Sequence, residues 1–314
     1  MIEKFTIENQ RTKQSVSFSQ DLDSDFIYND GDIDWGNVGA NHNTYTYPSQ
    51  VGVSIFSSKL TERDVAIKGY AYSIISRDDI NKYGYDAAKK QCYEDVLRKK
   101  ALLNDLINPN DYIRIYTSGY FLEGKPSSSI IYSNIEEENN EYFCRFLISI
   151  YCNNPMFKKE SIVKTNLSKS TPFFHFPLIL KPTGIVMSER ENYLLLDINN
   201  EGNSSIGAII TFEAKADVKN PSIEDVGSGK KIIINKTLSK GEKVIINTAD
   251  GEKSVVGVIA GVEYNYFKYW DFNNDWIKFE GGTTLVGYSS EDYTEGSLDV
   301  MIEINPEKFA LEEL

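Results

Sequence analysis

Residues 142–157, YFCRFLISIYCNNPMF, decide how the rest of the chain is interpreted. Alternate residues of a strand point to opposite faces, and here both faces are apolar apart from Arg145 and Ser149. Such a strand is typical of a sheet covered on both sides, so we expect it to be buried between two layers and central in its sheet. Asn153, Asn154 and Pro155 end the strand, because asparagine favours turns and proline has no amide hydrogen for a sheet ladder.

The polar and basic residues after position 157 predict a boundary between two domains. A chain of 314 residues is long for one hydrophobic core and comfortable for two. We therefore expect an N-terminal domain at residues 1–157, a linker at residues 158–176 and a C-terminal domain at residues 177–314.

The N-terminal domain contains the only persuasive helix of the sequence, predicted at residues 86–107. Asp86 is a candidate N-cap, and Asn108 and Pro109 end the helix. A helix with one apolar stripe packs on one face of a sheet, so we expect a strand layer with this helix packed on it. Its stripe recurs at three-to-four spacing and consists of Ala88, Cys92, Val96, Leu103, Leu106 and Ile107.

Upstream of the helix, apolar and polar residues alternate as in strands. This pattern predicts strands at residues 45–56 and 64–74. Residues 21–34 are predicted to form a solvated acidic loop, and residues 76–86 a polar connection.

From residue 173 to the end, the sequence predicts many short strands and no helix. The turns between these strands are rich in glycine, asparagine and aspartate. The pattern indicates an antiparallel β-sandwich, so the predicted fold class is mainly β with an α+β N-terminal domain.

Composition and charge exclude several classes of function. The net charge is −13 and basic residues form no strong cluster, so specific binding to nucleic acid is not expected. The first residues show no signal-peptide pattern, and no stretch is apolar for the length of a membrane span. Three cysteines without metal spacing are expected to act as small apolar side chains: Cys92, Cys144 and Cys152.

Candidate catalytic and metal-binding residues are few. His42 lies in a turn-like run and His175 in an aromatic run, and a structural role is predicted for both. The acidic loop twice resembles a calcium loop, at residues 21–25 and 30–34, but Phe26 and Trp35 stand where such a loop needs glycine. We therefore predict no catalytic, cofactor or metal site. Carboxylates are plentiful, but no pattern marks two of them as a glycosidase pair.

An aromatic cluster near the end of the chain has two interpretations. Its rings could stack on sugars, or they could pack in the core and at the edge of the sandwich, which we favour because a β-core uses much aromatic area. The cluster consists of Tyr264, Tyr266, Phe267, Tyr269, Trp270, Phe272 and Trp276.

Taken in order along nearly the whole chain, these segments resemble the phage distal tail protein family, the siphovirus-type proteins at the lower end of a tail tube. In the N-terminal half the resemblance rests on residues 65–72, LLNDLINPND, YIRIYTSGYFLEGK and residues 152–157. In the C-terminal half it rests on residues 200–203, GKKIIINKTLSKGEKVIINTADGEKSV, the aromatic stretch before Trp276 and residues 279–286.

The resemblance implies a structural protein with no catalysis and no cofactor. It implies a belt-forming N-terminal domain joined to a galectin-like C-terminal sandwich, with a homo-hexamer closing into a ring between the tail tube and the baseplate. The implied partners are the tail tube protein, the tail-associated hub or tip protein, the tape-measure protein and receptor-binding proteins. The protein would be assembled in the bacterial cytoplasm and reside in the virion tail tip or in a phage-tail-like particle, with no membrane partner.

Other classes of function remain open at this point. The C-terminal sandwich could be a carbohydrate-binding module for host-surface adhesion, which would need Trp270 and Trp276 exposed. A wall-degrading enzyme is the least supported, because no catalytic constellation is present. The particle itself could be a phage with a flexible or contractile tail, or a contractile bacteriocin.

Overall fold

A computed structural model describes residues 4–22, 24–75, 77–140, 142–172, 188–192, 195–292, 294 and 296–311, with the backbone alone at residues 168–172 and 188–192. The chain divides into two compact units. The first consists of Met1–Glu160 with Phe309–Leu314, and the second of Ser161–Lys308. Much of the predicted linker is strand up to residue 172, and the remainder of that linker lies outside the described residues.

Strands and two helices alternate in the first unit. They are β1 Lys4–Asn9, β2 Ser15–Ser19, β3 Phe26–Ile27, β4 Ile33–Asp34, β5 Ala40–Tyr45, β6 Ser54–Leu60, β7 Arg63–Tyr72, α1 Arg77–Tyr83, α2 Tyr85–Leu106, β8 Ile113–Thr117, β9 Tyr120–Pro126, β10 Ile131–Tyr132, β11 Phe143–Cys152 and β12 Phe157–Lys159.

The main sheet of this unit runs in the order β10-β11-β7-β3-β2-β1-β8-β9-β12, with β4 paired to β7. Strand β9 also pairs with β11, so the sheet closes on itself. Its interior is aromatic: Phe5 stacks on Phe18 with 4.6 Å between ring centres, and Phe26 meets Phe146 edge to face at 5.7 Å. Leu103 and Leu106 of α2 belong to the same core.

Strand β11 is central, as predicted, because it pairs with β7 along its full length and also with β10 and β9. The prediction that both of its faces are buried is wrong. The face with Phe146 and Ile148 is buried, but residues on the other face are half-buried and Tyr151 is 44% exposed. A sheet that closes on itself has one interior face, so the described residues on the outward face of β11 are less buried than those on the inward face.

The apolar stripe of α2 is confirmed, since all six of its predicted residues are buried. Two details are wrong. Gly84, not Asp86, is the N-cap, and Asp86 lies in the first turn, where a carboxylate still complements the helix dipole. The predicted polar connection contains α1, which has no buried residue and therefore no apolar periodicity for the sequence to reveal.

The acidic segment of residues 21–34 is only partly the predicted solvated loop. It contains β3 and β4, and Phe26 is fully buried. Asp32 is 8% exposed and accepts a hydrogen bond from Arg145 Nη2 at 3.1 Å. The arginine partner explains why this buried carboxylate is tolerated beside the core.

The second unit consists of short strands. They are β13 Val163–Asn166, β14 Ser168–Pro172, β15 Ser188–Asn192, β16 Leu195–Asn200, β17 Ala208–Ala214, β18 Val218–Lys219, β19 Ser222–Asp225, β20 Lys231–Ile233, β21 Thr237–Leu238, β22 Lys243–Asn247, β23 Ser254–Ile259, β24 Val262–Asn265, β25 Gly282–Ser289, β26 Leu298–Ile304 and β27 Glu307–Lys308, with a 3-10 turn at Phe267–Tyr269.

A six-stranded antiparallel sheet, β13-β26-β17-β22-β23-β24, and a four-stranded one, β16-β25-β19-β20, supply one core between them. Phe212 of the larger sheet and Ile223 of the smaller one are both fully buried in it. The mainly-β class is confirmed, whereas the galectin-like assignment stays a prediction. Among the described residues, no helix is long and apolar enough to cross a membrane.

Candidate assembly and binding surfaces

Strands β5 and β6 form a two-stranded hairpin of their own, and we call residues 40–60 the arm. Residues 45–56 were predicted as one strand, but β5 ends at Tyr45 and β6 begins at Ser54. The tip turns because Ser49 and Gly52 have positive φ angles of 70° and 84°. His42, predicted in a turn, lies in β5 with its Nδ1 atom 2.7 Å from Ser58 Oγ, which is a structural contact across the hairpin.

Nearly every residue in the two strands of the arm is exposed, although many are apolar. Val51 is 101% exposed and Phe56 is 80% exposed. An isolated two-stranded hairpin is at best marginally stable in water, and contiguous exposed apolar surface marks an interaction site. The other large apolar side chains exposed on the arm are Tyr45, Tyr47, Val53, Ile55 and Leu60.

The arm also differs from the rest of the chain in charge. Its only residue among Asp, Glu, Lys and Arg is Lys59, in a protein with 46 acidic and 33 basic residues. The cores of protein interfaces are depleted of charged residues in the same way. The near absence of charged residues is therefore a sequence signal for the arm as an interaction surface, one that strand periodicity does not contain.

The root of the arm is held by Arg63, which is 3% exposed. Its Nε donates to the Pro155 carbonyl at 2.8 Å and its Nη1 to the Trp35 carbonyl at 3.2 Å, while its Nη2 donates to the Phe309 carbonyl. Burial lowers the pKa of Arg63 from its ordinary value. Gly36 is required beside it, because its φ is +68° and a Cβ would lie 2.1 Å from the Asp64 carbonyl oxygen.

Three near-parallel rings in the second unit form what we call the platform: Phe267, Trp270 and Trp276. The two tryptophan rings stack with 4.2 Å between centres and 20° between planes. Phe267 lies 6.2 Å from Trp270 at 11°. Phe267 is 50% exposed, and both tryptophans are half-buried against the core of the unit.

A buried carboxylate, Glu242, binds Tyr266, the residue directly before Phe267 of the platform. Glu242 is 4% exposed and accepts hydrogen bonds from Tyr266 Oη and Lys236 Nζ, both at 2.6 Å. Burial alone would raise the pKa of Glu242, but these hydrogen bonds outweigh it and the pKa lies below its ordinary value. Burial and the same contact raise the pKa of Tyr266, which directly precedes Phe267.

The aromatic cluster predicted from the sequence therefore has both of the environments that we considered. Tyr266 is buried, and Tyr269, Trp270 and Trp276 pack against the core, as the favoured interpretation required. That interpretation is wrong for three members of the cluster, which are exposed: Tyr264, Phe267 and Phe272.

The histidines, cysteines and carboxylates considered as candidates lie in separate places. No group of three or more histidines, cysteines, aspartates and glutamates there could hold a metal ion. The three cysteines are free and buried. A depression of about 250 Å³ includes Glu138 and Arg145, which form an ion pair at 2.6 Å. His175 lies outside the described residues.

The comparisons with known proteins agree with this architecture. Residues 201–298 match the family model of the siphovirus-type tail component, C-terminal domain. The structure is similar to that of SPP1 Dit, described as a paradigm of the hub adsorption apparatus in phages infecting Gram-positive bacteria. That match has a TM-score of 0.60 at 12% identity, and it covers 96% of this chain and 98% of the other.

Two structures of the phage P2 baseplate in its activated conformation, with Ca and with Sr, are more distant. Their TM-scores are 0.38 and 0.37 at 10% and 11% identity, covering 96% of this chain and 98% and 97% of theirs. No curated protein sequence matches the chain. The fold is therefore similar to that of SPP1 Dit along nearly the whole chain. The resemblance to the phage distal tail protein family is confirmed by these two matches, one of residues 201–298 to the family model and one of the fold to SPP1 Dit.

Proposed function

We propose that this chain is a structural distal tail protein of a phage or phage-tail-like particle, and that its copies close into a ring joining the tail tube to the baseplate. The observation that supports this most is the fold, which matches a distal tail protein over 96% of the chain. The family match of residues 201–298 supports the same assignment independently of the structure.

The arm supplies the physical reason for self-assembly. It exposes Val51 in its turn and Phe56 in β6 and is almost free of charge, so it is poorly suited to water. An arm that docks on a different surface of the next copy makes a head-to-tail contact, and such contacts give a ring when their rotation closes. We propose a hexamer because the distal tail family implies one.

A ring between the tail tube and the baseplate would have partners on both sides. The ring would contact the tail tube protein on one side and the hub or tip protein on the other, with the tape-measure protein and receptor-binding proteins attached. The role is structural and requires no catalysis. Assembly would take place in the bacterial cytoplasm before the ring becomes part of the tail tip.

Light scattering and negative-stain imaging over a concentration series test this proposal. We expect closed rings, either with the purified chain alone or after addition of the cognate tail tube protein. A monomer at every concentration, both alone and with the tube protein, would contradict the proposal. Open filaments would contradict ring closure while preserving the head-to-tail contact.

A further inference from the structure

We infer that the tip of the arm, residues 46–53, docks in a depression at the root of the arm of a second copy of this chain. The inference rests on the proposed ring and deepens it, because it names the surface that receives each arm. Among the described residues of the first unit, the depression has a volume of about 530 Å³, and we call it the socket. Its apolar lining residues are Trp35, Val38, Ala40, Leu60, Phe309 and Ala310.

Several polar groups that line the socket are already paired within the chain. Arg63 donates to the carbonyls of Trp35 and Phe309. The Gly39 amide donates to Thr61 Oγ1 at 3.0 Å, and the Gly39 carbonyl accepts from the Thr61 amide at 2.9 Å. A polar ligand would find these groups occupied. An apolar side chain that displaces water from the socket gains free energy without breaking any of these hydrogen bonds.

The socket is formed before any partner arrives. The Trp35 ring packs against Phe5 and Phe157, with 5.9 Å between ring centres in both pairs. The guanidinium of Arg63 lies over the same Phe157 ring at 4.8 Å. One wall of the socket is therefore continuous with the aromatic core of its unit. A surface that does not need to rearrange loses less conformational entropy on binding.

The tip is apolar, uncharged and fixed in shape. Val51 is 101% exposed and Val53 is 59% exposed, and residues 46–53 contain no Asp, Glu, Lys or Arg. The side chain of Gln50 braces the turn, because it accepts from the Tyr47 amide at 3.1 Å and donates to Ser54 Oγ at 2.8 Å. In a chain with a net charge of −13, an uncharged tip also avoids repulsion between copies.

The tip cannot reach the socket of its own copy. Strands β5 and β6 pair from Ala40 and Leu60, which line the socket, to Tyr45 and Ser54, which adjoin the tip. At about 3.3 Å per residue, this paired length holds the tip about 17 Å from the root. The occupant is therefore another copy. Tip and socket are different surfaces, so their contact is head-to-tail and gives a ring when the rotation closes.

Cross-linking between introduced cysteines tests the inference directly. The three native cysteines are free but buried, so the wild type gives the background with a short bismaleimide. We expect a chain carrying both Val51→Cys and Ala310→Cys to give a ladder of covalent oligomers on a denaturing gel. Each single variant should stay monomeric, and a mixture of the two single variants should give covalent dimers only.

Substitutions that block one surface at a time provide a second test. Val51→Asp places a charge on the tip, and Ala310→Trp fills the socket from an exposed position. Each should raise the protein concentration needed for ring formation about 10-fold or more. A mixture of the two retains one intact tip and one intact socket, so light scattering should show pairs of chains. Val262→Asp and Ala216→Trp, exposed positions in the second unit, are the matched controls and should form rings like the wild type.

The outcomes separate this inference from the proposed function. Normal rings in Val51→Asp and Ala310→Trp, without cross-links in the double cysteine variant, would overturn the inference and leave the ring intact. Covalent dimers of Val51→Cys alone would overturn it as well, because they would show a tip-to-tip contact. If the wild type formed no ring, alone or with the tail tube protein, the proposed function would fail, and an absence of cross-links would overturn the inference too.

Discussion

The arm and the platform both expose aromatic side chains, but they are supported differently. Strands β5 and β6 of the arm pair only with each other among the described residues, and the chain is fixed just outside the arm, where the Thr61 amide donates to the Gly39 carbonyl and Arg63 donates to the Trp35 carbonyl. The platform is tied along its length, from Tyr266 to Asn274. An apolar hairpin held only at one end needs a partner to cover it, whereas a braced set of rings is stable while open to solvent.

Each surface also has a buried ionic group beneath it. Arg63 is a cation whose guanidinium is satisfied by carbonyl oxygens and lies over the Phe157 ring at 4.8 Å. Glu242 is an anion satisfied by a cation and a phenol. Removal of either group should therefore destabilise its own unit, while removal of an exposed ring should affect binding alone.

The largest effect is expected from Phe56→Asp in the arm. A carboxylate at the centre of an apolar contact removes a buried anchor and adds a desolvation penalty, so each contact should weaken by about 2 kcal/mol or more. Rings should be replaced by monomers in light scattering. The unfolding midpoint should not change, because Phe56 is 80% exposed. Tyr93→Asp is the control, and equal loss of rings in that variant would refute the special role of the arm.

Arg63→Met should have the next largest effect, this time on folding. The change leaves the carbonyls of Pro155, Trp35 and Phe309 without their donor in a buried site. We expect the free energy of unfolding in urea to fall by about 3 kcal/mol. Arg63→Lys keeps the charge but lacks the planar guanidinium, so its free energy of unfolding should lie between those of the wild type and Arg63→Met. Methionine as stable as arginine would show that Arg63 does not anchor the arm.

The sequence predicted those parts of the fold whose side chains alternate between core and solvent. The α2 stripe from Ala88 to Leu106 is one example, and the many short strands of the second unit are another. Helix α1 was missed because it buries nothing, and the outward face of β11 was misjudged because closure of the sheet is a tertiary property. The apolar character of a side chain does not reveal whether it is buried by its own chain or by a partner.

The same limit applies to the surfaces. The alternation in residues 45–56 predicts one strand, yet these residues include the turn between β5 and β6 and the start of β6. Composition distinguishes an exposed interaction surface from a strand packed in the core better than periodicity does, since the arm lacks carboxylates. For the aromatic cluster, spacing could not separate buried Tyr266 from exposed Phe267, because the 3-10 turn that divides them depends on contacts distant in sequence.

A smaller effect, dependent on pH, is expected from Glu242→Gln. The folded-state pKa of Glu242 is lowered, so its contribution is present above the unfolded pKa of about 4.3 and is lost as pH falls through the folded value. The unfolding free energy of the wild type should therefore decline more steeply below about pH 5 than that of the variant. Urea titrations from neutral to acidic pH measure this, with the exposed Glu263→Gln as control. Parallel curves for wild type and Glu242→Gln would contradict the assignment.

The smallest effects are expected in residues 271–275, which connect Trp270 and Trp276. They compare an exposed ring with a side chain that makes hydrogen bonds. Phe272 is 103% exposed, so Phe272→Ala should change the free energy of unfolding by less than about 0.5 kcal/mol. Asn274→Ala removes both hydrogen bonds to Ile233 and should lower it by about 1–2 kcal/mol, although the residue is smaller. Thermal and urea unfolding of the two variants give the comparison directly. If Phe272→Ala were the more damaging change, the loop would depend on its ring, and the platform would need a partner to cover it as the arm does.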